Sequence, residues 1–400
     1  RQLAAHDVQA VVLAGVVHHD DVWVPSEWLQ RPRQDGAAVV GDDDDGDVVR
    51  PIQAFGYLGR YGRRREGDRH AGIVSGARAG AVRRRAESQP LQVHGQSGRA
   101  EDTRLKRYLP LTPPRRVLVV CMRRIGDVLT VTPLLRSLRR GWPEARIEVL
   151  VPSGTAPVLA GNPDIDAVLV EPAGSRRQRL SLLARLWRRY DLAVGTQYND
   201  RPYLYTLAAA PRRVMIVPHA GLPGARLKRR FVDGWCELNL GREHAVEQYL
   251  ALADVLGLAR CAEVVPPRSG DDDALQALLG ADWTHHRWAV VHPSPMYRYK
   301  AWTLQGWVAA IRHLTSEHGL GVVLSGGPAE ADRLQSAAIW EALDEGTRAR
   351  VHVASGRLNL AEMALLLHTA VIYLGPDTSI THLAAASGTR TLALYGPSHP

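Results

Sequence analysis

From residue 115 onward the chain alternates short, wholly apolar runs with longer stretches whose apolar positions recur every three to four residues. Val117-Leu-Val-Val-Cys121 has the length and β-branched content of a strand buried on both faces. After it, Gly126 supplies a tight turn and Asp127 stands at the start of a predicted helix. Its inner face is Leu129, Pro133, Leu134 and Leu138, and Trp142-Pro143 ends it. Arg146 to Val151 is a second strand, which makes the unit βαβ. The alternation continues through Ala167 to Val170, a basic helix over Arg176 to Arg189, and a strand over Asp191 to Gly195. Residues 212–239 are basic and without period, and are expected to be an acceptor-side loop region. A helix follows over Glu243 to Leu256, and then a Pro- and Asp-rich stretch from Val264 to Asp273.

A second series begins at Trp288-Ala-Val-Val-His292. A loop, Pro293 to Lys300, leads to a helix over Leu304 to His318. Gly321 to Gly327 is a strand and turn, and Pro328-Ala-Glu330 opens another helix. Ala361 to His368 is helical, Ala370 to Leu374 a strand that stops at Gly375-Pro376, and Asp377-Thr378 are good cap residues for a helix over Ile380 to Ala386. Thr391 to Tyr395 is the last strand. The pattern predicts two parallel-sheet α/β domains, 113–270 and 271–400.

Residues 1–112 differ. Val8 to Val17 and Val22 to Trp28 have some β character, but no period persists. Asp42 to Asp47 lacks the spaced oxygen ligands of a calcium loop and is expected to be a solvated charge run. His18-His19-Asp20-Asp21 has no partner motif, and the triplets Arg63 to Arg65 and Arg83 to Arg85 have no aromatic interleaving. The segment is expected to be irregular, or to be translated sequence upstream of the natural start.

Composition narrows the classes. No apolar run is long enough to span a bilayer, and the N-terminus, which begins with Arg, lacks the layout of a signal peptide. Cys121, Cys236 and Cys261 lie in or beside apolar segments without metal-type spacing, which suggests inert thiols in a reducing cytosol. The net charge of +9 is compatible with nucleic acid, anionic lipid or a phosphorylated substrate. Almost all basic residues are Arg. The three lysines, Lys106, Lys228 and Lys300, therefore stand out.

The polar candidates share one feature: each follows a predicted strand. They are Asp127 in the first domain, then Ser294, Lys300, Glu330, Asp377, Thr378 and His382 in the second. Strand ends of a parallel sheet share an edge, where open α/β sheets hold ligands, and helix starts there offer free N–H groups to phosphate. Individually each has an ordinary explanation. Asp127 is equally a helix cap, Lys300 a surface lysine, Glu330 a first-turn acid and His382 a packed histidine.

The order Gly126-Asp127, Thr132-Pro133, His292-Pro293 with Lys300 and Trp302, Ser325-Gly-Gly-Pro328, Gly375-Pro-Asp-Thr-Ser379 with His382-Leu-Ala-Ala385, and Tyr395-Gly-Pro397 resembles the lipopolysaccharide heptosyltransferases of glycosyltransferase family 9. The resemblance runs from about Arg115 to Pro400. It implies a GT-B fold, two Rossmann-like domains facing a cleft, and inverting, metal-independent transfer of heptose from ADP-heptose to the lipopolysaccharide inner core. It implies Asp127 as the general base and Lys300 as the cation that neutralises the departing diphosphate. Asp377, Thr378 and Ser379 would hold the donor's sugar and phosphates, with His382 one turn on. Ser294 and Glu330 match donor-contacting positions, Glu330 on the ribose, and Leu358 flanks the adenine. No cofactor is implied.

By the same resemblance the partners are ADP-heptose, a lipopolysaccharide core/lipid A acceptor and the cytoplasmic face of the inner membrane, without nucleic acid. Basic surface over Arg176 to Arg189 and Arg226 to Arg230 suits anionic lipid and a phosphorylated acceptor. Ser379 replaces the family's usual glycine, and Pro295 stands where some members carry a hydroxyl. The family continues past the position of Pro400, so the second domain is expected to be incomplete. The alternatives are a GT-B transferase with another nucleotide-sugar donor, an inactive nucleotide-binding fragment, or an Arg-rich nucleic-acid binder, recognisable by steep salt dependence. An NAD-dependent dehydrogenase is disfavoured, because no Gly-x-Gly-x-x-Gly follows either domain's first strand.

Overall fold

A computed structural model describes residues 12–16, 105–237, 244–268 and 270–395. Thirteen strands are described there: β1 (Val12–Val16), β2 (Leu105–Lys106), β3 (Arg116–Val120), β4 (Arg146–Pro152), β5 (Ala167–Glu171), β6 (Leu192–Gly195), β7 (Arg212–Val217), β8 (Gly234–Glu237), β9 (Trp288–Val291), β10 (Gly321–Leu324), β11 (Val351–Val353), β12 (Ile372–Pro376) and β13 (Thr391–Tyr395). They form two sheets. One has the order β2-β8-β7-β6-β3-β4-β5, the other β1-β13-β12-β9-β10-β11. Every described pairing is parallel except β2 with β8. The acidic run, the His/Asp cluster, the arginine triplets, Val22 to Trp28 and Gly396-Pro397 lie outside the described residues.

Alternation along β3 explains why it reads as a continuous apolar run. Val117 and Val119 point to one face, where Leu134 and Leu138 of the helix Thr132–Gly141 and Leu252 of Ala245–Val255 complete the core. Leu118 and Val120 point to the other, against Leu182 and Leu186 of Arg176–Leu186 and Tyr205 of Asp200–Ala209. With helices on both faces, Val117 to Val120 have no side left for water.

Residues 212–239 correct an expectation. The described part, 212–237, contains β7, the helix Ala225–Arg230 and β8 rather than irregular loop alone. Arg212 and Arg213 precede a buried run, Val214 to Val217, and basic residues on the short helix hide its period. The helix Asp200–Ala209 and the three-residue β11 also escaped the apolar pattern.

The two sheets meet through helices at their carboxyl edges. Ile125–Thr130, which follows β3, packs on Ser379–Ala386, which follows β12. The short turn Ala156–Leu159 packs on Leu360–Thr369. One apolar cluster runs from Val117 and Leu134 through to Met363, Tyr373 and Leu383. The strand ends that carry the candidate polar groups therefore face each other across a cleft.

Candidate active site

The turn after β12 is built by close approach. A Cβ at Gly375 would lie 2.3 Å from the Tyr373 hydroxyl and 2.9 Å from the His292 carbonyl oxygen, so only glycine fits. The Thr381 hydroxyl donates to the Pro376 carbonyl at 2.6 Å and accepts from the Thr378 amide at 3.4 Å. Tyr373, fully buried, lies 3.1 Å from the same hydroxyl. These bonds fix Thr378 at the cap and Ser379 as the first, half-buried residue of Ser379–Ala386. Asp377 is thereby aimed sideways.

Asp377 meets Lys300. The lysine closes the turn Arg298–Lys300, pairs with the Asp377 carboxylate, and lies 3.5 Å from its carbonyl oxygen. The side chains are 15 % and 28 % exposed, so the pair is only partly hydrated. His382 Nε2 is 3.9 Å from the other carboxylate oxygen. Desolvation lowers the His382 pKa, helped by the charges of His244 and Lys300 and opposed by Asp377 and Asp127. Its ring remains 45 % exposed at the cleft rim.

Gly126 joins the two walls. A Cβ there would sit 3.2 Å from His382 Cδ2. Asp127 follows it in the first turn of Ile125–Thr130, half-buried, with the Arg123 guanidinium 3.8 Å away. A second bridge crosses nearby: Arg124 lies 5.6 Å from the centroid of Tyr297, which stacks on Tyr299 at 5.4 Å. Asp127, Lys300, Asp377 and His382 thus converge.

Ser294 belongs to a neighbouring stretch of the same edge. It is buried and lies 3.2 Å from Gln335 Oε1, while Gln335 Nε2 donates to the Pro293 carbonyl at 3.1 Å. Gln335 is on the helix Glu330–Ala342, whose first residue is the exposed Glu330. The preceding glycines sit in close contacts: a Cβ at Gly326 would lie 2.7 Å from Ser355 Oγ, just after β11, and one at Gly327 would meet the Asp332 carboxylate of that helix. Leu358 is half-buried against the main core. Among the described residues no hydrogen bond or ion pair ties Glu330 or Leu358 to the Asp127 group. His292 anchors this edge, with Nδ1 3.0 Å from Ser325 Oγ, and burial lowers its pKa to about 4.

Arg124, Tyr297, His244, Gln335 and Thr381 were not foreseen. Their partners lie up to 173 residues away in the chain for Arg124 and Tyr297, and no local pattern marks them. Thr381 had a weak signal, since it stands three residues after the cap Thr378.

Two parallel-sheet α/β halves that meet at their carboxyl edges are the architecture of the GT-B glycosyltransferases. The chain belongs to glycosyltransferase family 9, the heptosyltransferases. Residues 207–400 match that family directly. Lipopolysaccharide heptosyltransferase 1 of Pseudomonas aeruginosa is 30 % identical over 308 residues, 71 % of this chain and 79 % of that protein. Lipopolysaccharide heptosyltransferase 3 of Escherichia coli is 27 % identical over 287 residues, 69 % of this chain and 80 % of that protein. The structure of the E. coli heptosyltransferase WaaC with ADP superposes with a TM-score of 0.55 at 25 % identity, covering 71 % of this chain and 88 % of the other.

Proposed function

We propose that this protein transfers heptose from ADP-heptose to a lipopolysaccharide inner-core acceptor with inversion, using domains of about 113–270 and 271–400 for acceptor and donor. The observation that carries the reading is the approach of Gly126-Asp127 to His382, Asp377 and Lys300 across the cleft. Inverting displacement needs a base behind the acceptor hydroxyl and positive charge at the leaving group on the opposite side. Asp127 takes the acceptor proton as the new glycosidic bond forms, and the bond from the anomeric carbon to the diphosphate oxygen breaks. Lys300 has three N–H donors, and the Asp377 pair leaves capacity to meet the diphosphate. The N–H groups at the start of Ser379–Ala386 add partial positive charge.

This assignment gives charge neutralisation to a lysine and helix amides rather than to a metal. Thr378 and Ser379 line the phosphates; Ser294, Glu330 and Leu358 hold the nucleoside. The named relatives and the ADP complex support the donor class. No helix among the described residues is long and apolar enough to cross a membrane, and the reading places the protein peripherally at the cytoplasmic face of the inner membrane. The test is calorimetric titration with ADP-heptose beside UDP-glucose, followed by transfer assays on Asp127→Asn. The expected result is ADP-heptose binding retained in the variant with transfer reduced about 10²- to 10⁴-fold. Preference for UDP-glucose, or undiminished transfer by the variant, would sink the assignment.

A further inference from the structure

The basic charge of this protein is concentrated in one layer. Between Glu171 and Asp233 the sequence holds thirteen Arg and Lys residues against two acids, Asp191 and Asp200. Asp200 is already paired, 2.7 Å from Lys228. Three helices from this segment cover the same face of the first sheet. Arg176–Leu186 packs on Asp200–Ala209, and the Tyr203 hydroxyl of the latter donates to the Lys228 carbonyl of Ala225–Arg230 at 3.1 Å.

The outer side of that layer is unusually apolar for so basic a surface. Leu180, Trp187, Leu204, Leu227 and Phe231 are between 47 and 67 % exposed. The pattern is clearest at Ala225–Arg230 and the residue after it. Ala225 and Val232 are buried, and Lys228 and Arg229 turn inward, Lys228 to the Tyr198 carbonyl and Arg229 to Glu237 and over the Trp235 ring. What is left outside is Arg226 with Arg230 and Leu227 with Phe231, two i,i+4 pairs side by side. Exposed Leu180 on the first helix and Trp187 just past its end likewise lie between exposed Arg177 and Arg188.

We propose that this helical layer docks on an anionic phospholipid surface, with the apolar side chains inserted at the level of the headgroups and the arginines on the lipid phosphates. Exposed apolar residues flanked by cations are the composition of an interfacial helix. A second copy of the same face is disfavoured, since two such basic surfaces repel. Nucleic acid would satisfy the arginines and leave Leu227 and Phe231 in water. The helix Asp200–Ala209 starts at the carboxyl end of β6, next to β3, whose own carboxyl end leads to Asp127. The docked layer thus borders the cleft. The proposal rests on the acceptor of the proposed reaction being lipid-linked.

The test is flotation of the full chain with vesicles of phosphatidylethanolamine containing roughly a quarter phosphatidylglycerol, beside phosphatidylcholine alone. Binding to the first and little to the second is expected. Arg226→Gln with Arg230→Gln weakens it about 25-fold, at roughly fivefold for each cation. Leu227→Ser with Phe231→Ser weakens it about tenfold or more, and Arg140→Gln with Arg350→Gln, an equal charge loss elsewhere, leaves it near the parent. Equal vesicle binding by all variants overturns the proposal. So does duplex DNA binding that needs the arginines but not Leu227 and Phe231, or self-association lost with those two residues in a chain that ignores vesicles. Transfer to a deacylated acceptor is measured in parallel. The parent and the docking variants carry it out if the reaction is right, whatever the vesicles show, and the parent lacks it if the reaction is wrong.

Discussion

Replacing Lys300 by Ala separates charge stabilisation from folding. The lysine is 15 % exposed and its partner Asp377 28 %, so water screens them only in part. At an effective dielectric near 20, a unit charge about 4 Å from a second is worth roughly 4 kcal/mol. The diphosphate gains about one charge as it departs, and removal of one fixed donor to such a charge typically raises the barrier by about 2.7–4 kcal/mol. The expected loss in kcat is therefore about 10²- to 10³-fold. Stability should change far less. Asp377 loses a partner but keeps access to water, and after discounting for that exposure the penalty is about 1–2 kcal/mol, or a few degrees in Tm. The assay is ADP release at saturating donor and acceptor, with thermal unfolding alongside and ADP titration at two salt concentrations. A kcat within about fivefold of the parent, in a folded variant, would refute the role given to Lys300. So would a loss confined to KM, since binding alone would then explain the lysine. Lys300→Arg should recover only part of kcat, because the planar guanidinium cannot reproduce the pairing of a point charge in so narrow a turn.

His292 and Cys121 supply two further tests. Burial holds His292 near pKa 4 in the folded protein against about 6.5 when unfolded. The unfolded chain then takes up the proton first as pH falls, so this stability is complete above pH 6.5 and is lost progressively toward pH 4. At pH 5 the loss is about 2 kcal/mol. Urea unfolding at pH 7 and pH 5 measures it, and His292→Asn should lose that pH dependence. An equal slope in the variant would show that another group carries it. Burial also raises the Cys121 thiol to about 12. It should resist alkylation at pH 8 until the protein is unfolded by guanidinium, as read by mass spectrometry. Rapid labelling of native Cys121 would contradict its full burial in the main core just after β3.

What the sequence determined by itself was the pattern that survives any local rearrangement. Buried parallel strands have no solvent-facing side, so Val117 to Cys121 and Trp288 to His292 announce themselves as unbroken apolar runs. Polar groups directly after such runs, as at Asp127 and Asp377, mark a sheet edge without any knowledge of the partner strand. The family motifs sit at those same positions, and for that reason Asp127, Lys300, Asp377 and His382 stand out in the sequence as candidates. A basic strand such as β7 was not. Arg212 and Arg213 leave a run too short to tell from loop, and it becomes a strand because β6 and β8 flank it and helices cover it. Only the tertiary structure decided which neighbours each polar group has. The fit of Gly126 under His382 joins residues 256 positions apart, and the engagement of Lys300 by Asp377 joins residues 77 apart. Sequence spacing carries no distance between two sheets. The same holds for the basic layer, whose arginines are visible in the text, while their division into inward Lys228 and Arg229 and outward Arg226 and Arg230 follows from which side of a short helix the sheet occupies.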